Sequence, residues 1–317
     1  MAIDPALHVR HASPTLTALR FANALRWLAA AGYVAFFVQQ YRSSGFPFDR
    51  ERVLAWVGAA LLITGIGKGW RHVGRIVTDW LPFAALLIAY DYSRGAADDL
   101  GVAVHVDSLV NVEKFLFFGH VPAASVQHHF MPAADTPVAW WEFAVSVVYA
   151  SHFVLPFALA GVLWWRSRDR WRAFTNRFLL LSFGAVVTYC VLPTAPPWFA
   201  ADEGLIAALD RPVGRGWAKV GLFGAPTLLA KGRAALNPFA ALPSLHAGYS
   251  FLIAAFLWTA IGRGRARHLL FLYPLAMALT LVYGGEHYVI DIVAGWLAAL
   301  AAMAGATRLE RYVRARG

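Results

Sequence analysis

The chain has one cysteine in 317 residues, Cys190, and only 15% of its residues are charged. A single thiol excludes an intramolecular disulfide framework and a cysteine-rich zinc site, and its place inside an apolar run makes it a packing residue. The shortage of charge is the more restrictive absence. With 59% hydrophobic residues and 13 tryptophans, too little polar surface remains for a water-soluble domain of this length, so lipid must be part of the solvent. No internal repeat, low-complexity tract or separate soluble domain interrupts this pattern. No cleavable secretory signal is expected, because the segment before the first apolar run is polar and that run leads straight into further apolar segments.

A helix crossing a hydrocarbon core of roughly 30 Å needs roughly 17 to 25 residues with little charge. No Lys, Arg, Asp or Glu occurs between Glu142 and Arg166, between Arg177 and Asp202, or between Arg233 and Arg263. Each of these intervals is expected to hold a membrane span. Phe21 to Tyr41, Val53 to Trp70, Ile76 to Tyr92, His268 to Tyr283 and Tyr288 to Thr307 are shorter or carry a charge near one end, and they bring the expected set to eight. The fold class that follows is all-α, a polytopic transmembrane bundle of about eight spans.

The formal net charge of +10 is distributed along that topology. Of the 28 Lys and Arg residues, 17 fall in the terminal segments and the loops on their side (Lys68 to Arg75, Arg166 to Arg177, Arg263 to Arg267), against 10 in the longer intervening segments. The positive-inside rule then puts both termini in the cytoplasm, and losing one span would break the pattern. The basicity therefore reports topology and points to anionic lipid as a partner, with no nucleic acid implied. Two long loops, roughly residues 93 to 137 and 199 to 240, fall on the non-cytoplasmic side, where loops are free to build a site. Their apolar patches suggest short interfacial helices.

Two motifs carry chemistry. In Leu242-Pro243-Ser244-Leu245-His246, Pro then Ser marks a helix start, with the Ser244 hydroxyl as N-cap and the free amides of the first turn available to an anion such as phosphate. His246 would lie in that turn, where it could protonate a departing oxygen. In Tyr283-Gly284-Gly285-Glu286-His287-Tyr288-Val289-Ile290-Asp291 the glycines permit a tight turn, and the four-residue spacing puts His287 and Asp291 on one helix face. A carboxylate there fixes the tautomer of the ring and stabilises its cation, which suits a nucleophile or a general base. Taken singly, each of these residues reads as a capped or snorkelling group at a helix end. Asp291, however, lies about one turn into a span, where an ionised group costs roughly 2.5 to 3.5 kcal/mol and needs a partner. No His-x-x-x-His or cysteine pairing supports a metal, and no cofactor is expected.

Pro-Ser-Leu-His at 243–246 followed by His-Tyr-Val-Ile-Asp at 287–291 resembles the type 2 phosphatidic acid phosphatase superfamily, and more narrowly its inositol phosphorylceramide synthase branch. The run Pro193-Thr194-Ala195-Pro196-Pro197-Trp198 is similar to that branch too, so the resemblance covers roughly residues 140 to 307. It implies that His287 attacks a lipid-borne phosphorus, that Asp291 supports it, and that His246 protonates the leaving alcohol; the phosphoryl group then passes to water or another alcohol. It also implies two parts, residues 1–137 with the first helices and outer loop, and 138–317 as the catalytic core.

The chain departs from the phosphatase pattern of that superfamily. Leu281 stands where a Ser-Arg element would end, and Gly204, seven residues before Arg211-Pro212, stands where the lysine of Lys-x6-Arg-Pro would be. Ser244, Lys231, Arg233 and Arg94 are the candidates for binding phosphate instead. His152, Asp91, Glu286 and Tyr288 are candidates for a headgroup pocket, with Gln127, His128 and His129 as weaker ones. The expected partners are membrane lipids, a phospholipid donor and an alcohol or water as acceptor, with the site on the non-cytoplasmic face. Two alternatives stand beside a lipid phosphotransferase: a phosphatase for polyprenyl phosphate or phosphatidic acid, and a non-catalytic transporter or scaffold, although no matching half-repeats are visible.

Overall fold

The computed structural model describes residues 16–44, 50–133, 136–222, 224, 237–261 and 264–316, and Lys231 and Arg233 lie outside that set. Among the described residues the chain is helical, with no strand beyond isolated bridges. Each of the eight apolar intervals carries a helix: α1 (Leu16–Ser44), α2 (Arg50–Gly65), α3 (Trp70–Ala96), and, past the first loop, α6 (Trp140–Arg166) and α7 (Arg168–Val191). The last three are α9 (Leu245–Ala260), α10 (Leu272–Tyr283, extended upstream by a 3-10 turn from Arg265) and α11 (Val289–Arg316). The short helices expected in the loops are α4 (Asp107–Leu116) and α5 (Pro122–Phe130) in the first and α8 (Pro197–Asp202) in the second, joined by 3-10 helices at Ala97–Leu100 and Pro212–Val220.

Six of the eight are long and apolar enough to cross a membrane. The other two, α2 and α9, have 16 residues each. At 1.5 Å per residue that is about 24 Å, short of a core of roughly 30 Å. Of the about eight spans expected, six reach that length, and the shortness of α9 has its cause in the sequence. The charge-free interval before Arg263 spends its first part on a non-helical approach, Asn237 to Pro243, and becomes helix only after the Ser244 cap. Both short helices start at the same end of the bundle, which leaves that end recessed.

Polar ties define the two ends. At one, Arg26 Nε donates to the Ile66 carbonyl, Asp79 accepts from Trp164 and Arg168, and Arg177 pairs with Glu310. At the other, Arg50 pairs with Asp91 and Asn237 Nδ2 donates to the Arg94 carbonyl. Both loops and both histidine motifs lie at this second end. The core is a ladder of aromatic and aliphatic side chains, among them Phe83, Phe157, Phe174, Phe178, Leu181 and Leu252, running between α3, α6, α7 and α9.

The contact that matters for chemistry is between α9 and α11. Gly295 lets the two helices touch: a Cβ there would run into the Ser244 carbonyl oxygen. The Ser244 amide in turn donates to the carbonyl of Asp291 at 3.0 Å. One motif is thus hydrogen-bonded, backbone to backbone, to the other.

Candidate active site

Ser244 adopts extended backbone and its buried hydroxyl accepts the Ala247 amide at 3.3 Å, so α9 starts where the Pro-Ser signature puts it. Its carbonyl accepts from Gly248, and Tyr189 donates its hydroxyl to the Pro243 carbonyl at 2.9 Å, so the turn is held from α7 as well. His246 projects from the first turn. Its ring stacks on His152 of α6, with centroids 3.8 Å apart and planes at 27°, and on Tyr149 at 5.0 Å.

The second motif follows the turn at Gly284 and Gly285. Gly285 has φ of 63°, a left-handed conformation that a side chain would strain. His287 and Asp291 face one another one turn apart, Nδ1 to Oδ2 at 3.4 Å, with the carboxylate wholly buried. Asp291 Oδ2 also accepts the Tyr288 amide at 3.0 Å, closing the first turn of α11. The His246 and His287 ring centroids are 5.7 Å apart. Residues separated by more than forty positions therefore stand side by side at the starts of two touching helices.

The site is recessed. His152 lies 12 residues into α6, about 18 Å below the start of that helix. The walls above it are the loop elements, and named polar contacts lock these together. Gln127 of α5 donates to the carbonyls of Asp210 and Tyr283 at 2.8 and 2.7 Å and accepts the Asp210 amide. Thr194, fully buried, receives its neighbours on both sides: its amide donates to Phe239, while its carbonyl and hydroxyl accept from Ala241 and Leu242. Glu142 caps the start of α6 by accepting the Ala139 amide and pairs with Arg215 at 2.8 Å.

The remaining residues picked out from sequence are distributed unevenly. Arg94, in the last turn of α3, has a buried Nε with no hydrogen-bond partner. Asp91 pairs with Arg50. Glu286 is buried and gripped by Arg211, whose Nη2 is 2.7 Å away and whose guanidinium lies over the Trp198 ring at 4.4 Å. The Arg-Pro pair at 211 therefore braces the loop. Tyr288 is buried in an apolar cluster with Leu109, Val110, Val121 and Ala200. His128 and His129 sit at the end of α5, edge to face with one another.

Two participants, Glu113 and Arg50, were missed by sequence reasoning. Glu113 of α4 is buried and accepts the Ile290 amide at 3.0 Å, so a carboxylate from the first loop caps the helix that carries Asp291. Burial holds its carboxyl above the usual range, opposed by the Ile290 and Val289 amides. Nothing local in the sequence announces a partner 177 positions away. Arg50, counted only as a loop charge, stands at the first position of α2 and reaches the Asp91 carboxylate and the Leu87 carbonyl. Its one signal was a cation at a helix start, against the macrodipole. Gln127 was weighed for a pocket, whereas both ends of its amide are spent on the two neighbouring turns.

Comparison with known proteins decides what this constellation belongs to. Residues 107–305 match the family model of the PAP2 superfamily. The chain belongs to the PAP2 superfamily. It is also 31% identical over 232 residues, 69% of this chain and 73% of the other, to the phosphoinositol dihydroceramide synthase of Bacteroides thetaiotaomicron. No solved structure matches the chain. The protein is a multi-pass membrane enzyme, a lipid phosphotransferase or phosphatase, and the transporter or scaffold alternative is set aside. The family match begins at α4, so it takes in the loop that supplies Glu113.

Proposed function

We propose that this enzyme moves a phosphate-linked headgroup from a phospholipid to a lipid alcohol through a phosphohistidine on His287. With Nδ1 turned to Asp291, Nε2 is the nucleophile. It bonds to phosphorus as the bond from phosphorus to the lipid oxygen breaks, and His246 gives that oxygen its proton. In the second half the acceptor hydroxyl yields its proton to His246 while its oxygen displaces His287 from phosphorus. The observation that carries this reading is the His287–Asp291 pair set 5.7 Å from His246 across the α9–α11 contact, near enough for both rings to address one phosphorus atom.

Arg94 is the phosphate-binding candidate that best suits this role, having a buried donor without a partner. Ser244 contributes through the helix start it caps. His152 lines the recess beside a headgroup. For the substrate class, the similarity to a phosphoinositol dihydroceramide synthase supports a phosphoinositol group and a dihydroceramide-type acceptor. The absence of Lys-x6-Arg-Pro agrees with transfer over hydrolysis. For orientation, the excess of Arg and Lys at the end away from the site supports eight membrane-embedded helices, cytoplasmic termini and a non-cytoplasmic site.

The test is to supply purified protein with an inositol phospholipid labelled in the headgroup, with and without a dihydroceramide. An acceptor-dependent labelled lipid is the expected product. Labelled headgroup appearing only in water, whatever the acceptor, would replace transfer with the phosphatase reading. Turnover by His287→Ala would overturn the phosphohistidine itself.

A further inference from the structure

We infer that Arg50 and Arg94, carried by the helices that precede the family-matched segment, form a two-arginine clamp for the substrate phosphate, with Asp91 as the strut that positions it. The inference rests on the phosphotransfer reading above and adds to it the source of the missing phosphate-binding charge.

Three observations converge. First, Arg94 has a buried donor that the protein does not use. Its Nε is buried without a hydrogen-bond partner. Its electrostatic neighbours are Tyr90, Tyr189, Asp91 and Tyr249, and its carbonyl is pinned by Asn237 of the second loop. A buried donor left without a partner is costly, so a structure that keeps one there is suited to an anion from outside.

Second, Arg50 occupies a place that local physics disfavours. It is the first residue of α2, where the positive end of the helix repels a cation, and it lies 6.0 Å from the Phe157 ring. Phe157 is 17 residues into α6, about 25 Å below its start. A charge held against a buried ring at the recessed end of the bundle ordinarily has a partner and a function. Arg50 Nη1 is held by Asp91 and the Leu87 carbonyl, and its guanidinium rests over the Tyr90 ring at 4.8 Å. Asp91 pairs with Arg50 and is the carboxylate among the electrostatic neighbours of Arg94, so two guanidinium groups share it and the cluster stays cationic.

Third, the cluster adjoins the reacting groups. Tyr249, an electrostatic neighbour of Arg94, stacks on His152 at 5.3 Å, and His152 is the ring stacked 3.8 Å from His246. Arginine forks match phosphate oxygens in pairs and keep their charge at any pH the enzyme meets. Arg211, whose Arg-Pro dipeptide resembles the family's basic element, is engaged by Glu286 instead. The clamp would therefore come from α2 and α3.

The experiment uses the full chain in detergent. It measures KM for labelled inositol phospholipid, kcat, and inhibition by orthovanadate as a phosphate mimic, for wild type, Arg50→Gln, Arg94→Gln, Arg94→Lys and His287→Ala. Arg94→Gln should raise KM and the vanadate inhibition constant by about tenfold or more, Arg50→Gln in the same direction by less, and Arg94→Lys should recover part of the loss. A merely structural strap would leave the vanadate constant unchanged. Values within twofold of wild type for both Gln variants, with His287→Ala inactive, would overturn the clamp and leave the phosphohistidine standing; an active His287→Ala would overturn the reading beneath it. Should a variant fail to fold, wild type still decides. Vanadate should protect Arg50 and Arg94 from phenylglyoxal, mapped by mass spectrometry, without protecting Arg215, and equal modification of all three with and without vanadate would overturn the clamp.

Discussion

Asp291 has two tasks that a single substitution can separate. One oxygen both faces His287 Nδ1 at 3.4 Å and accepts the Tyr288 amide at 3.0 Å. The first distance is long for a hydrogen bond and leaves room for tightening when the ring becomes cationic. Asn at this position retains an acceptor for the amide but loses the charge that supports an imidazolium. Asp291→Asn should therefore fold normally while turnover falls by about 10² to 10⁴, the span expected of an acid–base contribution. His246→Ala should fall by a similar factor, and His287→Ala should in addition show no acid-labile phosphoenzyme after brief exposure to phosphorus-labelled lipid. An Asp291→Asn enzyme within fivefold of wild type would take the carboxylate out of the mechanism.

At the scale of elements, the start of α11 is set from two sides, by α9 through Gly295 and by α4 through Glu113. A side chain at Gly295 must move the Ser244 carbonyl, and with it His246, two residues on in the same turn. Gly295→Leu should cost several-fold more activity than Gly295→Ala, with both losing thermal stability. Glu113 allows a pH prediction. Its carboxyl is raised by burial, so the folded state favours the neutral form. The stability this group contributes is full below its ordinary value of about 4.3 and is lost as pH rises through the raised one. Wild type should lose thermal midpoint relative to Glu113→Gln as pH climbs from acid toward neutral, whereas Glu113→Ala, lacking an acceptor for Ile290, should be destabilised by about 1–3 kcal/mol at all pH values. A constant gap between wild type and the Gln variant would contradict the buried-carboxyl account.

These elements also show how far sequence reasoning reached. Apolar stretches with little charge located the six long apolar helices, because keeping charge out of lipid is a constraint on consecutive residues. Pro243-Ser244 and the four-residue His287–Asp291 spacing were legible for the same reason, since caps and helix faces are local. The shortness of α9 was obscured by hydropathy, which scores Asn237 to Pro243 with the helix that follows. Glu113 to Ile290, Gln127 to Asp210 and Arg50 to Asp91 were out of reach, because each joins distant segments whose approach only the packed bundle determines.

At the scale of the whole molecule, one end of the bundle carries the proposed catalytic site, and the remaining step is which end faces the cytoplasm. The catalytic end carries the long loops, the recess and arginines committed to carboxylates on other elements: Arg50 to Asp91, Arg211 to Glu286, Arg215 to Glu142. The opposite end has short connections in which Lys68, Arg71, Arg75, Arg166, Arg170 and Arg172 crowd against the helix ends. Membrane insertion reads Lys and Arg near short loops in preference to net charge, so the second end is expected to stay in the cytoplasm. The lone cysteine makes this directly measurable. In a Cys190→Ala background, Thr136→Cys at the catalytic end and Asp169→Cys at the other, whose side chain is 93% exposed, would each carry the only thiol. A membrane-impermeant maleimide on intact cells should label Thr136→Cys and reach Asp169→Cys only after permeabilisation. The reverse pattern would turn the active site toward the cytoplasm and require its lipids to be met from the inner leaflet.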